Sequence, residues 1–364
     1  MVDRLDWADI GARLRQARLA AGLSQEQLAH VVGLERTMIV KAEGGTRRLD
    51  ALELSRIATA LKLPLAHFLT PLPAVLSRRT DLTEDQETDA ARNAFLLESQ
   101  LASWLRDLRQ LIELGVLMHV RPMRYPGSVG SVSGAAEAAR WLRLELGVGR
   151  EPLGPLIQIS EQAGQLLLVA DSPGEGASAL DGDLAACVVS RLKDPGRRRF
   201  TAAHELGHLI IGDEYSADLG VHSSRDDRER AVDAFAAELL LPAEVVREVG
   251  GASSAEDVRV ALVELAARYR ASWSMVLRQA EQVKVIDQRH RFASRVPTRA
   301  ELLDAAGWAP QGDLDAVRVP PSVATAVMKA WRLGFITPDR AAEITRGQIT
   351  ADDLVAAADA DEAR

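Results

Sequence analysis

The chain has 364 residues, 47% of them hydrophobic and 26% charged, with a formal net charge of −8. Its length suits two or three folded cores, and its acidic balance excludes a protein coated along its length by nucleic acid. The single cysteine, Cys187, excludes an internal disulfide and an all-cysteine metal site, and with no secretory leader or apolar run of membrane-spanning length the chain reads as cytoplasmic.

Aromatic residues are sparse at 4%. Cores built mainly from Ala, Leu and Val favour helices, with Val the exception, so a mainly α fold with a small β-sheet (α+β) is expected. Residues 1–70 carry a local charge of +2 against −10 for the remainder, a weakly basic head on an acidic body.

Residues 8–70 read as a compact helical bundle. GLSQEQLAHVVGL and LDALELSRIATALKL each carry an apolar stripe at i, i+3, i+4 spacing, and Ser24 with Gln27 forms a capping-box pattern. The succession Leu14, Arg18, Gly22, Leu23, Ser24, Gln25, Leu28, Ala29, Gly33, Leu34, Ile39, Glu43, Gly45, Leu52, Ile57 and Ala60 resembles the Xre/Cro-type helix-turn-helix family. That resemblance implies a DNA-binding domain over 1–70, with Gly33 in the turn and a recognition helix from about Glu35 to Glu43 in the major groove. Arg36 and Thr37 would then reach base edges, while Gln25, Lys41, Arg47 and Arg48 would position the phosphate backbone. The implied partner is a double-stranded DNA operator bound by a homodimer on paired half-sites. The low local charge leaves a bundle that packs onto a partner protein as the competing reading.

Residues 71–134 read as a linker with a long helix. PLPAVLSRRTDLTEDQETDA is first Pro-bearing and then charged, and helical periodicity runs from about 83 to 115. That helix suits a spacer, a dimerisation surface or plain core. RPMRYPGSVGSVS over 122–134 marks a second boundary.

Residues 135–285 change character. QLLLVAD and LAACVVS are the strand candidates, and SPGEGASALDGD between them reads as a loop. FTAAHELGHLII and ERAVDAFAAELLLP follow as helices. In the first, His204 and His208 lie four residues apart and share a helix face, so both can address one metal ion. Glu205 can reach the open side as general base. A chance HExxH is the alternative, against which stands the cost of three polar groups in an apolar helix. The Cys187 strand ahead of this helix is expected to offer an edge to an extended substrate. In the second helix Glu229 and Asp233 share a face. Glu229 can complete the ligand set and Asp233 can fix the tautomer of a ligand histidine, or both are solvated charges at a helix start. Tyr215 and His222 are oxyanion-stabilising candidates by location only. Cys187 reads as core packing, and Arg197, Arg198 and Arg199 as a solvated approach to the helix.

RRRFTAAHELGH followed by ERAVDAFAAELLLP resembles the ImmA/IrrE metallopeptidases, which pair HExxH with a downstream E-x-x-x-(N/D)-x-F-A-x-x-L-(L/M)-x-P helix. Glu229, Asp233, Phe235, Ala236, Leu239, Leu240 and Pro242 match it, and Val232 stands where Ala is common. The resemblance covers about 135–285 and implies a gluzincin-like domain with His204, His208 and Glu229 as ligands and Glu205 as base. Zinc suits this donor set, and manganese also fits it. The implied substrate is a regulatory protein, a repressor or toxin–antitoxin partner, or this chain's own segment near Ser77–Glu87. The alternative is a transcriptional repressor or antitoxin whose peptidase-like domain senses or binds without cleavage. Residues 286–364 read as a helical C-terminal extension, and no membrane partner is expected.

Overall fold

The computed structural model describes residues 6–70, 89–118, 120–212, 225–251, 254–287, 290–307 and 312–362. The fold is mainly α with a small β-sheet. The chain opens with five helices: α1 (Trp7–Ala20), α2 (Gln25–Val32), α3 (Arg36–Glu43), α4 (Ala51–Ala60) and α5 (Ala66–Leu69). Capping boxes start three of them, Asp6 with Asp9, Ser24 with Gln27, and Asp50 with Glu53. Each satisfies donors that a helix leaves open at its start. Leu14, Leu28, Ile39, Ile57 and Phe68 fill the centre of this bundle.

The body is built on a three-stranded sheet, and three helices precede it: α6 (Asp89–Glu113), α7 (Val132–Glu145) and α8 (Leu156–Gln162). The strands are β1 (Gln165–Ala170), β2 (Gly176–Asp181) and β3 (Leu184–Ser190), in the order β1-β3-β2. β1 runs parallel to β3 and β2 antiparallel to it. Two strands are the expected ones. β2 lies inside the stretch expected to be a loop, and it takes the edge position that the Cys187 strand was expected to hold. Cys187 sits instead on the central strand, paired on both sides.

The sheet is covered on both faces, which is why β1 and β3 read as continuous apolar runs. Side chains alternate across it. Leu167, Val169, Ala185, Cys187 and Val189 face one core, whereas Leu166, Leu168, Ala186 and Val188 face a second. In that second core lies α6, whose Leu101, Trp104, Leu105 and Leu108 are buried. The Trp104 indole donates to the Leu166 carbonyl at 2.9 Å. Of the three roles open to α6 from its sequence, this face therefore serves as core.

The first face is covered by α8 and by α9 (Pro195–Ile211), on which α10 (Arg225–Leu240) packs together with α7. Then come α11 (Ala243–Glu248), α12 (Ala255–Tyr269) and α13 (Trp273–Gln282). Short helices α14 (His290–Ala293) and α15 (Arg299–Ala306) come next, then α16 (Pro321–Arg332), α17 (Pro338–Ile344) and α18 (Ala351–Glu362). Val323, Val327 and Ile344 of the last helices join Leu101 and Trp104 in the second core. Arg340 and Arg346 both reach the buried Asp107 of α6, at 2.5 and 2.7 Å. The C-terminal residues thus complete the far side of the sheet.

One close approach places the site. A side chain at Gly207 would stand 2.9 Å from the Phe235 ring and 3.0 Å from Val232. The bare backbone there lets α10 lie against α9 and brings its acidic residues to the histidines.

Candidate metal centre

α9 begins with Pro195 at its first position and ends at Gly212, whose φ of 74° stops the helix. Its i, i+4 geometry stacks His204 over His208. Their Nε2 atoms are 3.1 Å apart, and Glu229 Oε2 of α10 lies 3.3 Å from the first and 4.0 Å from the second. Four-coordinate ligands about 2.0–2.1 Å from one zinc stand about 3.3 Å from each other. The triangle therefore fits a single ion with one position left open. His204, His208 and Glu229 have their ligand atoms within 4.8 Å of one another.

The donor chemistry makes the same point. Two imidazole nitrogens facing each other at 3.1 Å beside a carboxylate oxygen need a cation or a proton between them. His204 Nδ1 meets Asp233 Oδ1 at 3.0 Å. With the proton on Nδ1, Nε2 is turned to the centre with its lone pair free. Burial works to lower the His204 pKa, but hydrogen bonds to Asp233 and Glu229 outweigh it and push the value up to about 10. Without a metal the pocket thus holds a proton in its place. Arg278 of α13 lies 3.8 Å from the other oxygen of Asp233.

Glu205 is nearly buried, and Ser178 of β2 donates to its Oε2 at 2.5 Å. Ser178 reaches it because strand alternation turns Gly176 and Ser178 toward α9 while Ala177 and Ala179 enter the second core. Gly176 has no room for a side chain, since a Cβ there would stand 2.5 Å from Thr201 and 3.3 Å from Glu205. Gln165 Nε2 donates to the Glu205 carbonyl at 3.2 Å. Ser178, Gln165 and Arg278 carry no motif, and each lies tens of residues from the group it supports. A strand at 176–181 would have pointed to Ser178.

Other expectations divide. Cys187 is fully buried in the core, and burial, reinforced by the Glu205 charge, pushes its thiol pKa well up. Of the three arginines read as solvated, only Arg197 is: Arg198 and Arg199 are buried. Arg198 donates to the carbonyls of Lys193, Arg191 and Asp313, and Arg199 pairs with the Asp313 carboxylate. That partner is 114 residues away in sequence, so proximity along the chain gave no sign of it. Tyr215, His222 and Ser77–Glu87 lie outside the described residues.

On the head, Arg36, Thr37 and Lys41 of α3 and Arg48 after it are exposed. The other two positions are engaged within the domain. Gln25 donates to Glu43 Oε2 at 2.8 Å, and Arg47 makes two bonds to Glu53, at 2.6 and 2.9 Å.

Comparison with known proteins follows this division. Residues 14–68 match the helix-turn-helix family model, and residues 183–281 match the IrrE N-terminal-like domain of the M78 peptidases. An "Uncharacterized transcriptional regulator in ATPase CF(0) region" of Rhodospirillum rubrum is 42% identical over 65 residues, 18% of this chain and 60% of that protein. An "Uncharacterized HTH-type transcriptional regulator" of Sinorhizobium medicae is 36% identical over 64 residues, 18% of this chain and 46% of that protein. The chain thus spans about half the length of the curated relatives it matches. No helix among the described residues is long and apolar enough to cross a membrane. The chain joins a helix-turn-helix domain of the Xre-like kind to an IrrE N-terminal-like domain of the M78 peptidase family.

Proposed function

We propose that the chain is a DNA-binding regulator whose IrrE-like domain is a metallopeptidase, with His204, His208 and Glu229 as ligands to zinc, or to manganese in its place. The convergence of those three ligand atoms beside a buried glutamate carries this reading. A bound metal would supply Lewis acidity, polarising the scissile carbonyl and bringing the pKa of water near 7. Glu205 takes the proton of the attacking water and returns it to the leaving amine. The Ser178 hydroxyl holds one oxygen of that carboxylate and leaves the other free to work. Asp233 keeps His204 in the ligating tautomer. β2, paired on one side by β3, offers its other edge to an extended peptide.

The substrate in this reading is a regulatory protein, a repressor or toxin–antitoxin partner, or the chain's own 77–87 segment. The head delivers this activity to DNA as a homodimer, with Arg36 and Thr37 at base edges and Lys41 and Arg48 on phosphates. Gln25 and Arg47 are each bonded to an acid of the head itself in the free chain, so for either to meet a phosphate that bond would have to open or be shared.

Metal content of the purified chain, wild type beside Glu229→Ala, tests the proposal. About one zinc per wild-type chain, lost or weakened in the variant, supports it. No metal in the wild type after zinc is added and excess removed would sink it, and a regulator that binds without cutting would take its place.

A further inference from the structure

A cavity of about 680 Å³ lies at the N-terminal end of α9, between α12, α13 and α15. Its size falls in the range of small-molecule sites. Most of the wall is apolar, with Ala266, Trp273, Val296, Ala300, Leu302 and Leu303 contributing. The polar part is one-sided. Three guanidinium groups, Arg199, Arg270 and Arg299, line it against one carboxylate, Asp313.

Asp313 is already paired with Arg199, which is only 2% exposed. Arg270 is bonded to the backbone carbonyls of Leu153 and Gly154 rather than to an acid. The half-buried Arg270 and the exposed Arg299 have no acidic partner among the described residues. Burial pushes the Arg199 pKa down to about 10, the Asp313 charge opposes this, and the Arg270 charge adds to it. The two guanidiniums are therefore close enough to repel, an arrangement an anion would relieve.

The helix end adds to this. Pro195 and Gly196 of the first turn of α9 line the cavity, and the cap residue, Asp194, gives that turn no side-chain hydrogen bond. The first-turn N–H groups of a long helix favour an anion.

We propose that this cavity binds a small monocarboxylate with an apolar tail, its head between Arg270 and Arg299 and its tail along Trp273, Leu302 and Leu303. An amine would meet arginines that have no acidic partner, and a polyanion would have to bury further charge against the apolar wall. The inference is independent of the peptidase reading, since it needs neither metal nor cleavage.

Calorimetric titration of the full chain with octanoate, 1-octanol and octylammonium tests it. Octanoate is expected to bind at least about tenfold more tightly than the alcohol, because a carboxylate gains charge-assisted hydrogen bonds that a hydroxyl does not, and the amine not at all. Arg270→Gln with Arg299→Gln should bring octanoate down to the level of the alcohol. Ala300→Phe, at an exposed position on the cavity wall, should abolish binding with the thermal unfolding profile unchanged. Equal binding of acid and alcohol, no binding of octanoate, or binding indifferent to Ala300→Phe would each overturn the proposal.

Discussion

In the IrrE-like domain two imidazoles and a carboxylate meet within 4.8 Å, with Asp233 bonded to His204, Arg278 behind Asp233, and Ser178 holding the neighbouring Glu205. On the head the polar side chains stand apart on an exposed helix face, and two of the six expected to meet DNA are turned on the domain's own acids. Burial accounts for the contrast. A polar group taken out of water must be paired, so its partners and its purpose can be read from its surroundings. An exposed arginine loses little by pointing anywhere, and its role is decided by a partner outside the chain.

The sharpest way to break this contrast is at Glu205. Glu205→Gln keeps size and the Ser178 hydrogen bond but removes the base, so cleavage should fall roughly 10²–10⁴-fold. Zinc content should stay at the wild-type level, because Glu205 is outside the ligand set. Turnover and bound metal measured on the same sample check both halves. Unchanged turnover would mean that Glu205 is not the base and that its burial beside the convergence does not mark its role.

The head has one feature of the opposite kind, a buried pair. Arg18 and Glu43 are bonded at 2.6 Å with side chains 3% and 4% exposed, and Gln25 joins them on Glu43. Arg18→Ala strands a buried carboxylate and should cost about 3–5 kcal/mol in denaturant unfolding, whereas Arg18→Met with Glu43→Leu should recover most of it. A loss under about 1 kcal/mol for the single variant would show that water reaches the pair.

The seam between head and body gives the next effect. His67 is 1% exposed, and its ring meets Phe68 and, on α6, Phe95 edge-on at 5.2 and 5.5 Å. Burial, then the charges of Arg106 and Arg13, push its pKa from 6.5 down to about 4. The folded chain therefore resists a proton that the unfolded chain accepts. Stability from this residue is intact above about pH 6.5 and is lost progressively as pH falls toward 4, by up to about 3 kcal/mol. Unfolding followed from about pH 7 to about pH 4 should show that slope in the wild type, and His67→Phe should flatten it.

These cases show what the amino-acid order makes legible. Helix periodicity puts His204 with His208, and Glu229 with Asp233, on shared faces, but that the second pair serves the first is only what the family resemblance implies, since spacing alone also suits solvated charges at a helix start. The Ser24–Gln27 capping box is readable because it is local. β2 is not, because GASALD has no β-branched residue and sits among glycine, serine and proline. The burial of Arg199 is not, because Asp313 enters from the far end of the chain. An amphipathic pattern marks α6 as a helix with a buried face, but not whether that face meets the sheet or a second subunit.

The smallest effect separates the arginines of the head. Taking one cationic side chain off a phosphate should reduce the slope of log affinity against log salt by about 0.9. Lys41→Ala and Arg48→Ala should each do so, while Arg47→Ala should leave the slope alone. Arg47 would act inside the fold, where its two bonds hold the Glu53 carboxyl below its usual pKa and brace the start of α4. Its removal should lower the unfolding midpoint without changing how salt weakens DNA binding. The sign of the comparison is what matters. If Arg47→Ala lowers the slope as much as Lys41→Ala does, the Arg47–Glu53 pair opens on DNA, and exposed and paired charges on the head cannot be told apart by their bonding in the free chain.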